Sequence, residues 1–282
     1  LFFLTQLANS NQLGVTTSRT MPSATETSLS QQNTPTGQKL HSRNKTTNTE
    51  PVINSDAFYA LCERWFTNRD QTPFEFQRAT WRAMATGRDG LLHAPTGTGK
   101  TRAAWFGGLC RSFAIPTQHK KMGIRIIWVT PLRALAADTA RSLEEPLADL
   151  NEMLGSRWQV GTRTGDTTTA DRRRLRQNWP QALITTPESL SILLSLEDSQ
   201  EIFSDLVTVI VDEWHELLGT KRGIQTELAL SRLRAIRSTM ITWGLSATLS
   251  NLNEAVATLV GPRRRDHAKL IEANTPRKLE FS

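Results

Sequence analysis

From Gly90 onward the chain alternates short apolar runs with longer stretches of helical periodicity, and no other feature constrains its fold as tightly. Apolar runs at 91–93, 124–130, 159–162, 182–185, 206–211 and 241–245 are too short for buried helices and predict strands. Helical spacing between them predicts helices at 101–113, 134–150, 187–196, 226–237 and 253–259. Strands that are apolar on both faces and separated by helix-length segments make a mainly parallel sheet flanked by helices, an α/β fold. Upstream, Phe58, Leu61, Cys62, Trp65 and Phe66 recur at helical spacing, and Trp81 and Met84 continue the pattern beyond Pro73. Two helices divided by a proline turn are expected there. Residues 9–50 are rich in Ser, Thr, Asn and Gln and poor in large apolar side chains, which cannot offset the entropy of ordering a backbone. The division expected is a disordered polar tail over 1–50, one α/β domain over 51–262, and a linker over 263–282 that leaves after Gly261-Pro262.

In open parallel sheets, ligands gather where loops leave the carboxyl ends of the strands. Two polar runs fall at such ends. The first is Ala94-Pro95-Thr96-Gly97-Thr98-Gly99-Lys100-Thr101, between an apolar run and a helix. Glycines there let backbone N–H groups close around phosphate oxygens, and the helix N-terminus adds positive potential. Lys100 is placed to reach the outer phosphates and the Thr101 hydroxyl to bind Mg2+. Ala94 stands where the strict loop pattern has glycine, a change that costs little unless positive φ is needed. The second run, Asp212-Glu213-Trp214-His215, ends the most apolar stretch in the chain. Adjacent carboxylates at a buried strand end are costly to keep charged without a cation, which Mg2+ on a nucleotide would supply. Asp212 is the candidate metal holder, and Glu213, with His215 beside it, the candidate for orienting and deprotonating water. Each run has a plainer reading, a glycine turn and an acid-rich helix start; their co-occurrence favours the chemical one.

The formal charge of +7 favours a polyanionic partner, through release of counterions from phosphates. The two cysteines, Cys62 and Cys110, stand in no metal-ligand spacing and fit a reducing cytoplasm. Leu1 to Leu7 are apolar but lack a preceding basic region, so they make a poor signal peptide and no membrane span. Because the first residue is Leu1, the chain reads as a fragment or as carrying upstream sequence, with Met21 an alternative start.

A third run, Ser246-Ala247-Thr248, follows another apolar strand, and the order of the three resembles that of superfamily-two helicases. That resemblance also covers Thr130-Pro131-Leu132-Arg133-Ala134-Leu135-Ala136, Thr164-Gly165-Asp166 and Thr186-Pro187-Glu188-Ser189. It implies that these stretches contact a nucleic-acid strand and that Ser246, Ala247 and Thr248 couple the two sites. Within the superfamily, Asp212 to Gly219 followed by Lys221-Arg222-Gly223 and Gln225-Thr226-Glu227 is similar to the large helicase-related proteins, above all their ligase-associated DExH-box branch. The similarity runs from about Trp65 to Gly261. It implies a RecA-like P-loop lobe binding ATP and Mg2+, and an ATP-driven DNA helicase moving 3′ to 5′ on single strands in DNA repair. Single-stranded or partly duplex DNA is the expected partner; the alternatives are an RNA-directed helicase and a non-catalytic, nucleotide-dependent nucleic-acid-binding module, against which intact Lys100, Asp212 and Glu213 argue. A second RecA-like lobe supplying arginines is also implied; nothing after Thr248 contains them, so Arg263, Arg264 and Arg265 are read as linker.

Pro73-Phe74-Glu75-Phe76-Gln77 resembles the superfamily's adenine-recognition segment, which makes Gln77 the candidate adenine reader. Phe74 or Trp65 is read either as a base-stacking ring or as core. Asp171 to Arg176 is read as a solvated helix face rather than a DNA site. His93, Trp128 and Trp243 are expected to pack in strands, and Trp214 to pack between lobes.

Overall fold

The computed structural model describes residues 52–117, 123–249 and 251–273. The segment read as a polar tail lies outside them.

Two helices open the described chain. The first, α1 (Ser55–Thr67), is capped by Asn54, whose Oδ1 accepts from the Ala57 N–H at 2.8 Å, and it buries Phe58, Cys62, Trp65 and Phe66. The second, α2 (Glu75–Ala85), turns Phe76, Thr80, Trp81 and Met84 inward. Strands and helices then alternate: β1 (Gly90–His93), α3 (Lys100–Ala114), β2 (Ile126–Val129), α4 (Arg133–Leu154), β3 (Val160–Arg163), α5 (Thr169–Gln177), β4 (Ala182–Thr185), α6 (Pro187–Leu194), α7 (Ser199–Ile202), β5 (Thr208–Val211), α8 (Trp214–Leu217), α9 (Lys221–Ile236), β6 (Ile241–Ser246), α10 (Leu252–Val260) and β7 (Lys269–Glu272).

The strands form one seven-stranded sheet in the order β3-β4-β2-β5-β6-β1-β7, with every pairing parallel. All residues of β2, β4, β5 and β6 are buried, which is why those strands read as continuous apolar runs. Alternate side chains feed two cores. Ile126, Trp128, Ile184, Ile210 and Trp243 pack on one face with residues of α1 to α4. Ile127, Val129, Leu183, Val209 and Val211 pack on the other with residues of α6, α9 and α10. The expected fold class is therefore met.

One boundary differs. Residues read as linker join the domain: β7 pairs with β1 as an edge strand, and Arg264 donates to Asp89 Oδ2 at 3.3 Å and to the Met240 carbonyl at 2.8 Å. The proline after Gly261 breaks a helix, as expected, but the chain returns to the sheet. α9 also starts five residues earlier than its periodicity suggested, because Thr220 caps it by accepting from the Gly223 N–H.

Candidate nucleotide site and nucleic-acid face

The loop after β1 is pinned before it turns. The Ala94 N–H donates to the carbonyl of Ser246, so the loop's first residue is fixed to the end of the adjacent strand β6. Pro95, Thr96 and Gly97 are exposed, and the Thr98 hydroxyl donates to the Pro95 carbonyl at 2.7 Å. Gly97 (φ 79°) and Gly99 (φ 92°) adopt the left-handed conformation, which side chains disfavour. At Gly99 a Cβ would also stand 2.7 Å from Gln77 Nε2. Lys100 is buried, and its ammonium donates to the Ala94 carbonyl at 2.8 Å across the loop. Burial draws its pKa down, while Glu213 and Asp212 pull it back up. Thr101 stands in the first turn of α3, partly exposed.

The Asp212 N–H continues the ladder by donating to the Val129 carbonyl. Its carboxylate accepts from Trp128 Nε1 at 3.2 Å and from the Glu213 N–H at 3.0 Å. Burial, then the neighbouring Glu213, push the Asp212 carboxyl up to about 6. Glu213 takes a left-handed backbone (φ 44°), a costly conformation for a residue with a side chain and one that clusters at functional sites. Its Oε2 lies 3.4 Å from His215 Nδ1, and both atoms are shut from solvent without a well-formed hydrogen bond. The Ser246 hydroxyl oxygen, at the end of β6, is likewise buried without a partner. Ala247 is partly buried and Thr248 exposed beyond it.

Loop, acidic pair and the end of β6 thus meet at the carboxyl ends of three strands, β1, β5 and β6, that lie close together in the sheet. The raised Asp212 carboxyl, at the strand end that faces the loop opening the Thr101 helix, suits a hard cation with oxygen ligands. Among the described residues no cluster of three or more His, Cys, Asp and Glu could hold a metal alone. Asp212 and Thr101 are the candidates to share an ion with phosphate oxygens.

Several expected roles change. Gln77 is 2% exposed and its amide serves the chain: Oε1 accepts from the Phe74 N–H at 2.9 Å and Nε2 donates to the Gly99 carbonyl at 3.2 Å. It braces the start of α2 against the phosphate loop. Trp65 is core, with its indole N–H on Asp149 and the Arg69 guanidinium 4.0 Å from its ring. Phe74 is 51% exposed and stays available for stacking. Trp214 does not face outward; it is fully buried and donates to the Ala255 carbonyl at 3.0 Å. Trp128 and Trp243 are core as expected, though the Trp128 contact to Asp212 had no signal in the sequence. His93 ends β1 half-buried, with Nδ1 unpartnered.

The stretches expected to contact a strand emerge at neighbouring strand ends: 130–136 after β2, 164–166 after β3, 186–189 after β4. Arg133 is half exposed, pairs with Asp166 at 3.2 Å and lies tight against Gly165. Arg172, on the basic face of α5, donates to the Gly165 carbonyl at 3.0 Å, so part of that face belongs to this rim. The hydroxyls of Thr164 and Thr186 do not face outward: both residues are buried, the first accepting from the Asp166 N–H and the second capping α6 through Ser189 N–H. Glu188 pairs with Arg222 at 2.5 Å, and Arg222 also donates to the carbonyl of Pro131, itself buried, at 2.9 Å. Burial works to raise the Glu188 carboxyl, but its own backbone N–H, Arg222 and Thr186 outweigh it and hold the pKa below the usual value. Sequence reasoning missed Arg222 because its partners lie far away in the chain.

Fold and site together define a RecA-like P-loop lobe with an acidic motif, largely buried, at the end of β5. The chain belongs to the DEAD/DEAH box helicase family, whose model matches residues 74–255. It is 37% identical over 220 residues to the Lhr helicase/uracil glycosylase of Escherichia coli, covering 74% of this chain and 14% of that protein. It is 35% identical over 222 residues to the ATP-dependent helicase Lhr-Core of Methanocaldococcus jannaschii, covering 75% of this chain and 26% of that one. Among solved structures, Mycobacterium smegmatis helicase Lhr bound to ssDNA and AMP-PNP superposes with a TM-score of 0.67 at 35% identity, covering 79% of this chain and 28% of that chain. The chain thus spans about a seventh to a quarter of the curated relatives' length. Among the described residues no helix is long and apolar enough to cross a membrane.

Proposed function

We propose that this chain is the nucleotide-binding lobe of a two-lobe, ATP-driven DNA helicase or translocase. The observation that carries the reading is the meeting of the Ala94–Thr101 loop with Asp212 and Glu213 at one end of the sheet, beside a rim bearing Arg133 and Arg172. Lys100 and the loop N–H groups would hold the phosphates, and Thr101 and Asp212 the Mg2+. When bound, Mg2+ neutralises charge on the phosphates. Glu213, set in a left-handed backbone at the end of β5, orients an attacking water and takes its proton, with His215 Nδ1 3.4 Å from its Oε2. Ser246, Ala247 and Thr248 would pass the state of that site to the strand. On the rim, Arg133 and the N–H groups at the start of α6 grip the backbone with little regard for base sequence.

The ssDNA-bound Lhr structure supports DNA as the substrate; 3′-to-5′ movement and a role in repair follow from the resemblance of the sequence motifs to the large helicase-related proteins, and a cytoplasmic setting from two cysteines in no metal-ligand spacing. The division proposed is a polar tail, this lobe to about residue 262 and a connection onward to a second lobe; the family match over 74–255 supports the lobe, and 263–273 pack on it. RNA is the competing substrate, since backbone-gripping motifs say little about the sugar. The test is anisotropy of labelled oligo(dT) and oligo(U) of equal length with the Mg2+ complex of AMP-PNP, at low and high salt. Tighter binding of oligo(dT), falling steeply with salt, is expected. Equal or tighter binding of RNA would overturn the DNA reading, and binding of neither the nucleic-acid reading.

A further inference from the structure

Arg222 is the second residue of α9, and its base is held rigidly. Thr220 caps the helix by accepting from the Gly223 N–H at 3.1 Å while donating to the Leu217 carbonyl at 2.6 Å. A Cβ at position 223 would fall 2.1 Å from that same carbonyl, so glycine is needed for the close approach. One short helix earlier lies Glu213, and Trp214 and Leu217 between them are fully buried. The segment from Glu213 to Arg222 is thus anchored by buried Trp214 and Leu217 and by the Thr220 cap, and it joins the candidate water-activating carboxylate to the guanidinium.

From there the side chain reaches two other elements. Nε meets Glu188 Oε1 at 2.5 Å in the first turn of α6, and Nη1 donates to the Pro131 carbonyl at 2.9 Å between β2 and α4. An isolated pair at this exposure contributes little to stability. A planar fork that holds two elements at fixed separation does something a point charge cannot. Both elements are strand-gripping stretches in the function proposed above, and the inference rests on that reading for its consequence. We infer that Arg222 is a positioning residue: it locks the 131–136 and 186–189 segments in register with each other and fixes both to the segment that leaves Glu213. Strand affinity therefore depends on a residue that need not touch the strand.

The test uses the full 282-residue chain with Arg222→Lys, Arg222→Gln and Glu188→Gln. Three quantities are read: affinity for a fluorescent ATP analogue, affinity for labelled oligo(dT), and amide hydrogen exchange at 132–136 and 188–190. Arg222→Lys keeps the charge but cannot fork. It is expected to weaken oligo(dT) binding about tenfold, the effect of losing one well-placed contact, and to leave nucleotide affinity unchanged within about twofold. Exchange in both segments should quicken together. Arg222→Gln should match or exceed it, and adding Glu188→Gln should bring little further loss, because the two share one interaction. Unchanged exchange and unchanged oligo(dT) affinity in Arg222→Lys would overturn the inference. So would a parallel fall in nucleotide affinity, which marks general loosening. Should the parent chain bind no oligonucleotide, the nucleic-acid reading falls, while exchange in the two segments still decides whether Arg222 locks them.

Discussion

At the nucleotide corner the groups facing a ligand come from short contiguous stretches: a loop shaped by its own glycines and Lys100, and an acidic pair at one strand end. At the neighbouring rim the exposed groups are placed by pairs drawn from distant parts of the chain, Arg133 with Asp166, Arg172 with Gly165, and Arg222 with Glu188 and Pro131. A site built from backbone keeps its shape when one side chain is changed and loses only that side chain's chemistry. A site built from long-range pairs loses its shape instead. Substitutions at the corner should therefore be large and clean, and those at the rim smaller and spread over two segments.

The largest effect is expected at Glu213. In a protein carrying both lobes, Glu213→Gln should lower ATP turnover by about 10² to 10⁴, the usual contribution of a positioned base, with nucleotide affinity retained. Near-normal steady-state turnover would take Glu213 out of that role. Lys100→Ala comes next. Losing a fixed cation opposite the phosphates should weaken binding of a fluorescent ATP analogue on the order of tenfold to a hundredfold, with unfolding behaviour little changed. Equal affinity would break the contrast at its stronger end.

Asp212 sharpens it through pH. Its carboxyl is raised from 3.8 to about 6, so the ligand-free fold favours the protonated acid. That contribution is complete below the unfolded value, near 3.8, and is lost as pH rises through about 6. Asp212→Asn removes the penalty of a buried charge and should stabilise the ligand-free chain on the order of 2 kcal/mol well above the folded pKa, and hardly at all near the unfolded one. Thermal unfolding at the two pH extremes reads this out, and a pH-independent difference would contradict the desolvation. Smallest is Arg133→Ala, an exposed ion-pair member. Its loss should cost strand affinity only severalfold and reduce the salt slope by about 0.7, one single-strand phosphate contact.

This contrast also explains what the sequence made legible. The strands, the loop and the acidic pair depend on local pattern, so β4 could be read to the residue and Ala94–Thr101 by its glycines and its helix. Edge strand β7 could not, because residues 269–272 are largely exposed and carry no apolar run; pairing with β1 makes the strand. Gln77 carries the side chain expected of a base reader, but its geometry is set by Gly99, twenty-two positions away. Trp214 and Arg222 are settled by Ala255 and by Glu188 and Pro131, contacts that arise only once the sheet is assembled.

The groups proposed to hold phosphate and metal and to activate water all lie within this lobe, whereas the arginines that stabilise charge on the transferring phosphate are expected from a second one. Loss of such an arginine costs ~10³ to 10⁵ in rate. The deciding measurement is steady-state ATPase of this chain, with and without single-stranded DNA, beside the same chain joined to a second RecA-like lobe. A half-site predicts measurable Mg2+-ATP binding by the chain alone, turnover slower by at least ~10³ than in the joined protein, and stimulation by DNA only when both lobes are present. Robust DNA-stimulated turnover by the chain alone would contradict it.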